Sequence, residues 1–377
     1  MNVTITDGTS VAPTDLPDRL RPVIEAARDE IDRRAGLPDE LRAALRDAGA
    51  FRLMTPREYG GFEVPLSELL QIYQGFGHID ASVGLLVWNA NFGFIGALLS
   101  EAGAARIWSD EREPILANSA MPGMAQKVDG GYLLTGQWRI VSGVNTADWV
   151  VVVAGVGHEI RACAVHRSQL TVQNSWDVSG MRGTASDDFL VESAFIPDEL
   201  MSPPFDQPAR IDRPLYRLFP AMVFPGCTAV VLGVAQAAID EVVTLAPGKA
   251  TASGAILADT ARAQYAIAKH ETALHAARLL LHAAAVSLQT TAEEGGTIAI
   301  EQRTLLRAAM THAADVSREA LVAMYELAGS AALYRGNAIE RIYRDGMAAL
   351  QHANNSALFM EAAGRVRLGR DVGLPLF

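Results

Sequence analysis

A flat aromatic ring and a small hydroxyl turn lie near the middle of the chain, at a spacing that suits a planar ligand. Trp138 lies within a run of strand-forming residues, and Ser142 and Gly143 end that run. Two further strand-like runs flank it, Tyr132–Leu134 and Trp149–Val153, with Gly or Asn at the boundaries. The indole is suited to form a wall for a planar heterocycle, and the turn N–H groups suit its polar edge. The alternative is a core tryptophan followed by an ordinary Ser-Gly turn, since short motifs also match by chance.

An imidazole lies near the end of the chain, beside small residues. Asp345 and His352 are seven residues apart in a segment predicted to be one helix over 337–368, so they would share a face with Ala348 and Ala349 between them. Small residues beside an imidazole leave a gap that a flat ligand could fill. The alternative is a histidine packed in a helical bundle.

Two other motifs do not support a site. His270 and Glu271 begin a zinc-helix pattern, but the next histidine is His275, which points away from the face that a tetrahedral metal needs. Gly155 and Gly157 begin a dinucleotide-like pattern without a third glycine and without a strand-to-helix turn. We therefore expect no metal site and no nucleotide fingerprint.

Composition limits the classes of function. The chain has 377 residues, 50% hydrophobic and 20% charged, which is ordinary for a globular protein of two or three domains. Its net charge of −11 argues against nucleic acid and anionic membranes as partners. Cys163 and Cys227 lie far apart without metal-ligand spacing, and the first fifteen residues lack the features of a secretion signal. We expect a cytoplasmic protein without a membrane span.

The periodicity of apolar residues divides the chain into three parts. Helical spacing dominates the first part, β-branched runs with frequent glycine form the second, and long Ala-rich helices form the third. We predict an α+β fold whose parts are a helical domain, a β-barrel or β-sandwich domain and a four-helix bundle, over residues 16–113, 114–202 and 215–377. The predicted helices cover 16–34, 38–49, 65–77, 81–99, 221–245, 256–290, 298–330 and 337–368.

Four segments, in order, carry a resemblance to a known family. They are "PREYGGFEVPLSELLQIYQGFGHIDASVG", "VDGGYLLTGQWRIVSGVNTADWVVVVA", "WDVSGMRGTASDDFLVESAFIPDEL" and "AGSAALYRGNAIERIYRDGMAALQH". Together they resemble acyl-CoA dehydrogenase-fold flavoproteins over about residues 20 to 370, and most closely the branch of two-component flavin monooxygenases. The resemblance implies reduced flavin (FMNH2 or FADH2) as cofactor, O2 as co-substrate, a separate flavin reductase as partner and a homotetramer.

The resemblance also implies roles for individual residues. The family's proton-abstracting glutamate lies eight residues after the aspartate of the Arg-Asp pair, and Ala353 stands at that position here. His352 matches the histidine that monooxygenases place beside the reactive flavin carbon, so it is the expected catalytic residue. The expected flavin contacts are Trp138, Ser142, Gly143, Ser119, Met121, Arg182 and Thr184, and the expected substrate contacts are Asn89, Asn91 and Ala353.

Departures from the family pattern leave alternatives open. Val141 stands where relatives offer a hydroxyl to the flavin. Several relatives also have a second histidine in an N-terminal helix, and the nearest polar groups to that position in this chain are Asn89 and Asn91. The leading hypothesis is an oxygenase component that transfers one oxygen from a flavin C4a-hydroperoxide to an apolar, aromatic or polycyclic small molecule. The alternatives are a dehydrogenase or oxidase with a relocated base, and a non-catalytic flavin- or ligand-binding homologue. The choice between FMN and FAD stays open.

Overall fold

The computed structural model describes residues 12–109 and 113–374. Most of the first fifteen residues, for which no secretion signal is predicted, therefore lie outside the described residues. Six helices form the N-terminal part. They are α1 (Leu16–Arg34), α2 (Asp39–Asp47), α3 (Leu66–Ile79), α4 (Ala81–Ala90), α5 (Ile95–Leu98) and α6 (Glu101–Ile107). The predictions for α1, α2 and α3 are confirmed within two residues at each end.

The predicted helix over 81–99 is interrupted, which corrects the sequence prediction. Asp80 begins α4 by accepting a hydrogen bond from the Val83 amide at 3.0 Å. The buried Asn91 ends α4, because its amide group donates to Ala50 and Val87 carbonyls (both 2.7 Å) and accepts from the Leu53 amide (2.6 Å). A side chain bonded to the preceding loop in this way turns the chain out of the helix.

The middle part is one mixed sheet of six strands in the order β4-β3-β1-β2-β6-β5. The strands are β1 (Leu116–Val128), β2 (Gly131–Trp138), β3 (Trp149–Val156), β4 (Glu159–His166), β5 (Thr171–Gln173) and β6 (Asp188–Pro197). Only β1 and β3 pair in parallel; the other neighbours are antiparallel. The run predicted over Tyr132–Leu134 and the start of the run predicted over Gln137–Val141 form one strand, β2, with a register shift between Leu134 and Gly136. The rest of the second run, after Trp138, lies outside the strand.

The C-terminal part is helical. After a short helix α7 (Pro214–Arg217), its helices are α8 (Gly226–Leu245), α9 (Ala261–Glu293), α10 (Ile300–Ala328), α11 (Ala338–Ala349) and α12 (Leu358–Arg367). The single helix predicted over 337–368 is therefore wrong, because the chain leaves the helix after Ala349 and turns before Leu358. The segment between α11 and α12 contains the histidine of interest.

Close backbone packing holds the three parts together. At Gly77 of α3 a side chain would collide with the backbone of Val230 in α8, and at Gly180 it would collide with the backbone of Arg344 in α11. Two apolar segments, Ala81–Leu98 and Ala221–Gly248, meet length and hydropathy criteria for a membrane span, but 94% and 78% of their apolar windows are buried inside the fold. Such burial is typical of core helices.

Candidate functional site

The turn that follows β2 presents a hydroxyl group. Ser142 is partly accessible, and its neighbours are fixed by backbone hydrogen bonds: the Val141 amide donates to the Asp187 carbonyl (3.1 Å) and the Gly143 amide donates to the Thr184 carbonyl (2.9 Å). Gly143 has φ +78°, a conformation that glycine adopts without strain. The predicted Ser-Gly turn is confirmed, and the segment before β6 holds it in place.

Three hydroxyl groups follow one another behind this turn. The Oγ atoms of Ser142 and Ser186 are 2.8 Å apart, and Ser186 Oγ is 2.7 Å from Thr184 Oγ1. Thr184 Oγ1 in turn donates to the Met181 carbonyl at 2.8 Å. Ser186 and Thr184 are buried. The chain of hydroxyls thus runs from the accessible Ser142 into the protein interior.

A pair of asparagines joins this turn to α4 and β1. Asn89 donates to the Ser142 carbonyl at 2.7 Å, and Asn118 donates to the side-chain oxygen of Asn89 at 2.7 Å. Both expected substrate contacts on this segment, Asn89 and Asn91, are buried with their amide groups bonded to protein. Their contact with substrate stays a prediction. Such a contact would require these hydrogen bonds to break.

Trp138 lies inside the sheet rather than on an open wall. Its indole is fully buried, stacks on Phe189 at a centroid distance of 4.9 Å and donates to the Met121 carbonyl at 2.8 Å. Added Cβ atoms at Gly123 or Gly136 would collide with the ring. No face of the indole is free for a ligand in this conformation, which fits the core interpretation, and the flavin contact of Trp138 stays a prediction.

Ile140 is a residue that the sequence analysis missed. This β-branched side chain is 66% exposed and has φ +56°, a conformation that is rare for its type. Such strain concentrates at ligand sites. Met121 lies on the neighbouring strand β1, where its carbonyl accepts the hydrogen bond of the Trp138 indole, and the residue is 50% exposed. The sequence does not predict a positive φ at an isoleucine. It does show an apolar residue two positions before Ser142, which was the one available signal.

His352 lies in the turn after α11, not on the same helix as Asp345. Its Nδ1 accepts a hydrogen bond from the Asn354 amide at 3.2 Å, and its ring meets Trp88 edge to face at 5.0 Å between centroids. Because a backbone amide can only donate, Nδ1 carries no proton and the neutral ring bears its proton on Nε2. Among the described residues, no hydrogen-bond partner is found for Nε2.

The surroundings of His352 keep it neutral. Burial among protein atoms lowers the pKa of its imidazole to about 4, because the charged form loses hydration. At neutral pH the ring is therefore a hydrogen-bond donor through Nε2, while its only lone pair on nitrogen faces the Asn354 amide. This geometry favours donation over the acceptance of a proton, the other role that the sequence left open.

An apolar pocket of about 60 Å³ adjoins the partners of His352. Trp88 donates to the Val223 carbonyl at 3.0 Å and Asn354 donates to the Phe224 carbonyl at 3.3 Å, and both Val223 and Phe224 line the pocket. No charged side chain lines it. The remaining lining residues are Phe92, Phe94, Ser119, Ala120, Val151, Val152, Val153, Ala162, Phe205, Phe219 and Pro220.

A buried carboxylate anchors the far end of the hydroxyl chain. Asp345 accepts a hydrogen bond from the Met181 amide at 2.7 Å. Burial and the nearby Asp80 carboxylate raise the pKa of Asp345 to about 7. The guanidinium of Arg182 donates to the carbonyls of Asp32 in α1 (2.9 Å) and Val178 (3.1 Å), so this side chain acts as a brace between the two segments, and its flavin contact stays a prediction.

These residues fit a flavin. Exposed apolar side chains at Met121 and Ile140 suit a flat ring, and Ser119 lies where β1 meets the apolar pocket. Ser142 and Gly143 line a separate crevice of about 20 Å³ together with residues of α2 and α4. Ala353, in the position of the family's glutamate, is exposed and offers no base. The sheet therefore offers an apolar surface for a planar cofactor, and no carboxylate lines the apolar pocket near Trp88 and Asn354, the partners of His352.

Comparisons with known proteins identify the family of this chain. Family models match residues 18–107 (Acyl-CoA dehydrogenase, N-terminal domain) and 226–357 (Acyl-CoA dehydrogenase, C-terminal domain), together more than half of the chain. The chain is 29% identical to an indole-3-acetate monooxygenase of Pseudomonas putida over 90% of both chains. It is 26% identical to the oxygenase subunit HsaA of a flavin-dependent monooxygenase from Rhodococcus jostii, over 90% of this chain and 93% of the relative.

Solved structures share the fold. XiaF from Streptomyces sp., in complex with FADH2 and glycerol, superposes with a TM-score of 0.91 at 24% identity and covers 97% of each chain. The family models, the full-length relatives and the shared fold agree with one another. The chain belongs to the acyl-CoA dehydrogenase family and groups, within it, with the oxygenase components of flavin-dependent monooxygenases.

Proposed function

We propose that this protein is an oxygenase component that receives reduced flavin from a separate reductase and transfers one oxygen atom to an apolar aromatic molecule. The observation that carries this proposal is the neutral imidazole of His352, whose neighbours Trp88 and Asn354 bond to the wall of a pocket without charged side chains. When bound, the reduced flavin supplies the electrons with which O2 delivers one oxygen atom to the substrate and one to water. The names of relatives that act on aromatic compounds, such as the resorcinol hydroxylase of Rhizobium, support the substrate class.

The residues of this chain have three tasks in the proposed reaction. Aromatic side chains such as Phe92 and Phe224 exclude water, which strengthens electrostatic interactions within the site. Ser142 lies at the turn where a polar ring edge would bind, and the Gly143 amide holds that turn by donating to the Thr184 carbonyl. His352 offers Nε2–H as a donor toward an oxygen of the reacting groups, and Asn354 keeps it in that tautomer.

A coupled assay tests the role of His352. Purified protein would receive chemically reduced FMN, 18O2 and indole as the aromatic probe, and incorporation of one 18O atom would be measured. His352→Ala should lower kcat about 100-fold, the usual cost of one lost donor in a site. His352→Gln keeps an N–H donor and should retain at least ten times the activity of His352→Ala.

Three results would overturn parts of this proposal. Wild-type rates in His352→Ala would remove His352 from the mechanism, and equal losses in both variants would indicate a base rather than a donor. A purified protein that carries oxidised FAD and bleaches anaerobically with an acyl-CoA would support the dehydrogenase alternative.

We also propose a cytoplasmic homotetramer. Large apolar side chains are exposed along the C-terminal helices, where close contact between copies would bury them. They are Tyr265, Leu279, Leu280, Val286, Leu305, Val322, Leu333, Tyr334, Leu358, Met360 and Leu368. Light scattering after size-exclusion chromatography should give four times the chain mass, and a monomer would contradict the proposal.

A further inference from the structure

The apolar pocket near Trp88 and Asn354 is too small for the substrate that the proposed function requires. Its volume is about 60 Å³. An apolar cavity that holds a single benzene ring measures about 150 Å³, and pockets for larger ligands measure about 300 Å³ or more. Some of the side chains that line the pocket must therefore move before an aromatic molecule can enter.

The sheet forms a wall of the pocket that cannot supply this room. Its contribution comes from Ser119 and Ala120 of β1, residues 151–153 of β3 and Ala162 of β4. Ser119 is paired with β3, and Ala162 is paired with β3 from the other side. Because strand pairing fixes this wall, the room must come from the five phenylalanine side chains that complete the lining.

Phe224 is held in place by a buried cation. The guanidinium carbon of Arg307, a residue that is 3% exposed, lies 3.6 Å from the centre of the Phe224 ring and 4.0 Å from that of Phe359. The Phe224 carbonyl also accepts the hydrogen bond from Asn354 at 3.3 Å. Displacing Phe224 would break a desolvated cation–π contact and would disturb the turn that contains His352.

Phe92, Phe94 and Phe219 support one another as a row of contacting rings. Phe94 is 2% exposed, and its ring centre lies 4.9 Å from that of Phe92 and 5.5 Å from that of Phe219. Phe92 directly follows Asn91, whose amide group is bonded to three backbone groups. None of these three rings can move outward without disturbing a neighbour.

Phe205 differs from the other four. It is half-buried and lies in the connector, residues 203–209 between β6 and α7, and the next three residues are exposed. Among the described residues, the one ring contact found for Phe205 is the edge-to-face contact with Phe219 at 4.9 Å. Phe205 therefore separates the pocket from solvent with the weakest support of the five rings.

The connector is anchored at both ends and has few bonds between them. Before it, Ser202 Oγ accepts from the Ala162 amide at 2.9 Å. After it, the guanidinium of Arg210 donates to the Leu99 carbonyl (2.6 Å) and the Gly96 carbonyl (2.9 Å) at the end of α5. Within the described part of the chain, two backbone amides of the connector donate to backbone carbonyls, at positions 205 and 207. Such a segment can swing a side chain outward while its ends stay fixed.

We propose that Phe205 is a specificity-determining residue, whose ring an aromatic substrate displaces on entry and whose size limits the number of fused rings that the pocket accepts. Because Ser202 and Arg210 anchor the connector, the displaced ring stays beside the ligand and limits its length. This inference rests on the proposed function, since it assumes that the aromatic substrate binds in the apolar pocket.

Equilibrium dialysis against indole and carbazole, which is indole with one more fused benzene ring, tests the size limit without turnover. Oxidised FMN would be present, and no reductant would be added. Phe205→Ala should raise the affinity for carbazole relative to that for indole about tenfold, since one added methylene group already changes discrimination in an apolar pocket by about that factor. Phe205→Trp, which enlarges the ring, should change the ratio of affinities in the opposite direction.

A matched control removes a phenylalanine outside the pocket. Phe195 is 45% exposed on β6 and does not line the pocket, so Phe195→Ala should leave the ratio of affinities at the wild-type value. Urea unfolding of the three variants would show that each is folded under the conditions of the dialysis.

The failure of this inference is distinguishable from the failure of the proposed function. The inference is overturned if Phe205→Ala and Phe205→Trp leave the ratio unchanged, if Phe195→Ala changes it as much as Phe205→Ala does, or if the folded proteins bind neither probe. If the ratio changes as expected but reduced FMN and 18O2 give no oxygenated product from indole or carbazole, the size limit stands and the proposed function fails.

Discussion

The two sides of the candidate site differ in the way they control protons. On the β side, Ser142 is the outermost group of a connected set of hydrogen bonds that reaches Asp345 in α11. On the helical side, His352 has one backbone partner and otherwise meets aromatic and apolar groups. On the β side, hydrogen bonds hold the Ser142 hydroxyl in place. On the helical side, loss of hydration keeps the imidazole of His352 neutral.

The largest expected effect comes from opening the apolar side at Trp88. Trp88→Ala removes a 5% exposed ring that contacts His352 and should lower the free energy of unfolding by about 3–5 kcal/mol. Water entering the space should raise the pKa of His352 from about 4 toward its ordinary value, measured by NMR titration of labelled histidine. Trp108→Ala, which breaks a stack with Tyr59, is the control that should leave this pKa unchanged.

A second change breaks the polar side at its most tightly packed point. Gly183→Ala forces a methyl group against Ile31 and Ser82, and overpacking of this kind costs about 1–3 kcal/mol. The turn should shift and the affinity for FMNH2 should fall with it, as calorimetry would show. Gly248→Ala, where no atom lies within 4 Å of the added carbon, serves as the control. Unchanged affinity in Gly183→Ala would mean that the turn does not position Ser142.

A third change, Asp345→Asn, tests how the stability of the protein depends on pH. The pKa of Asp345, about 7 in the folded chain, exceeds its unfolded value, so its ionisation lowers stability as pH rises from about 4 to 7. The stability of Asp345→Asn relative to wild type should therefore rise by up to about 1.4 kcal/mol per pH unit between pH 5 and 7. Asp80 and Asp32 raise this pKa and Arg344 lowers it.

Urea unfolding at pH 5, 6 and 7 would measure this difference. His352, whose pKa is lowered instead, contributes equally to both proteins and cancels in the comparison. Parallel stability curves for wild type and Asp345→Asn would show that Asp345 titrates like an ordinary exposed carboxylate.

The smallest expected effect concerns Arg182. Its guanidinium donates to two backbone carbonyls, so Arg182→Ala should lower the free energy of unfolding by about 1 kcal/mol. The affinity for FMNH2 should stay at the wild-type value, because the guanidinium bonds carbonyl groups of the protein. If Arg182→Ala lowered the affinity for flavin without lowering stability, the result would support the flavin contact that the family resemblance implies for Arg182.

Sequence patterns predicted the order of helical and β parts because burial periodicity is a local property of the chain. They missed the breaks at Asn91 and after Ala349, which tertiary hydrogen bonds stabilise: Thr228 donates to the side chain of Asn355 at 2.7 Å, and Asn91 bonds the loop at Leu53. The Asn354-Asn355-Ser356 run was a turn signal that helical periodicity obscured.

The candidate site was predictable only in part, for the same reason. Ser142 and His352 were recognisable by type and by resemblance. The buried state of Trp138 and the strained backbone of Ile140 depend on how strands and helices pack, and neither has a local sequence signal. The chain of hydroxyl groups links residues 142, 186, 184 and 181, which only the folded turn brings together.

A crystal structure of the protein with FMNH2, grown without oxygen, would test most directly whether both sides face one ligand. We predict the flavin ring against the exposed side chains of Met121 and Ile140, with Nε2 of His352 directed toward the ring. A flavin bound elsewhere, or a His352 side chain directed away from it, would contradict the assignment of this site.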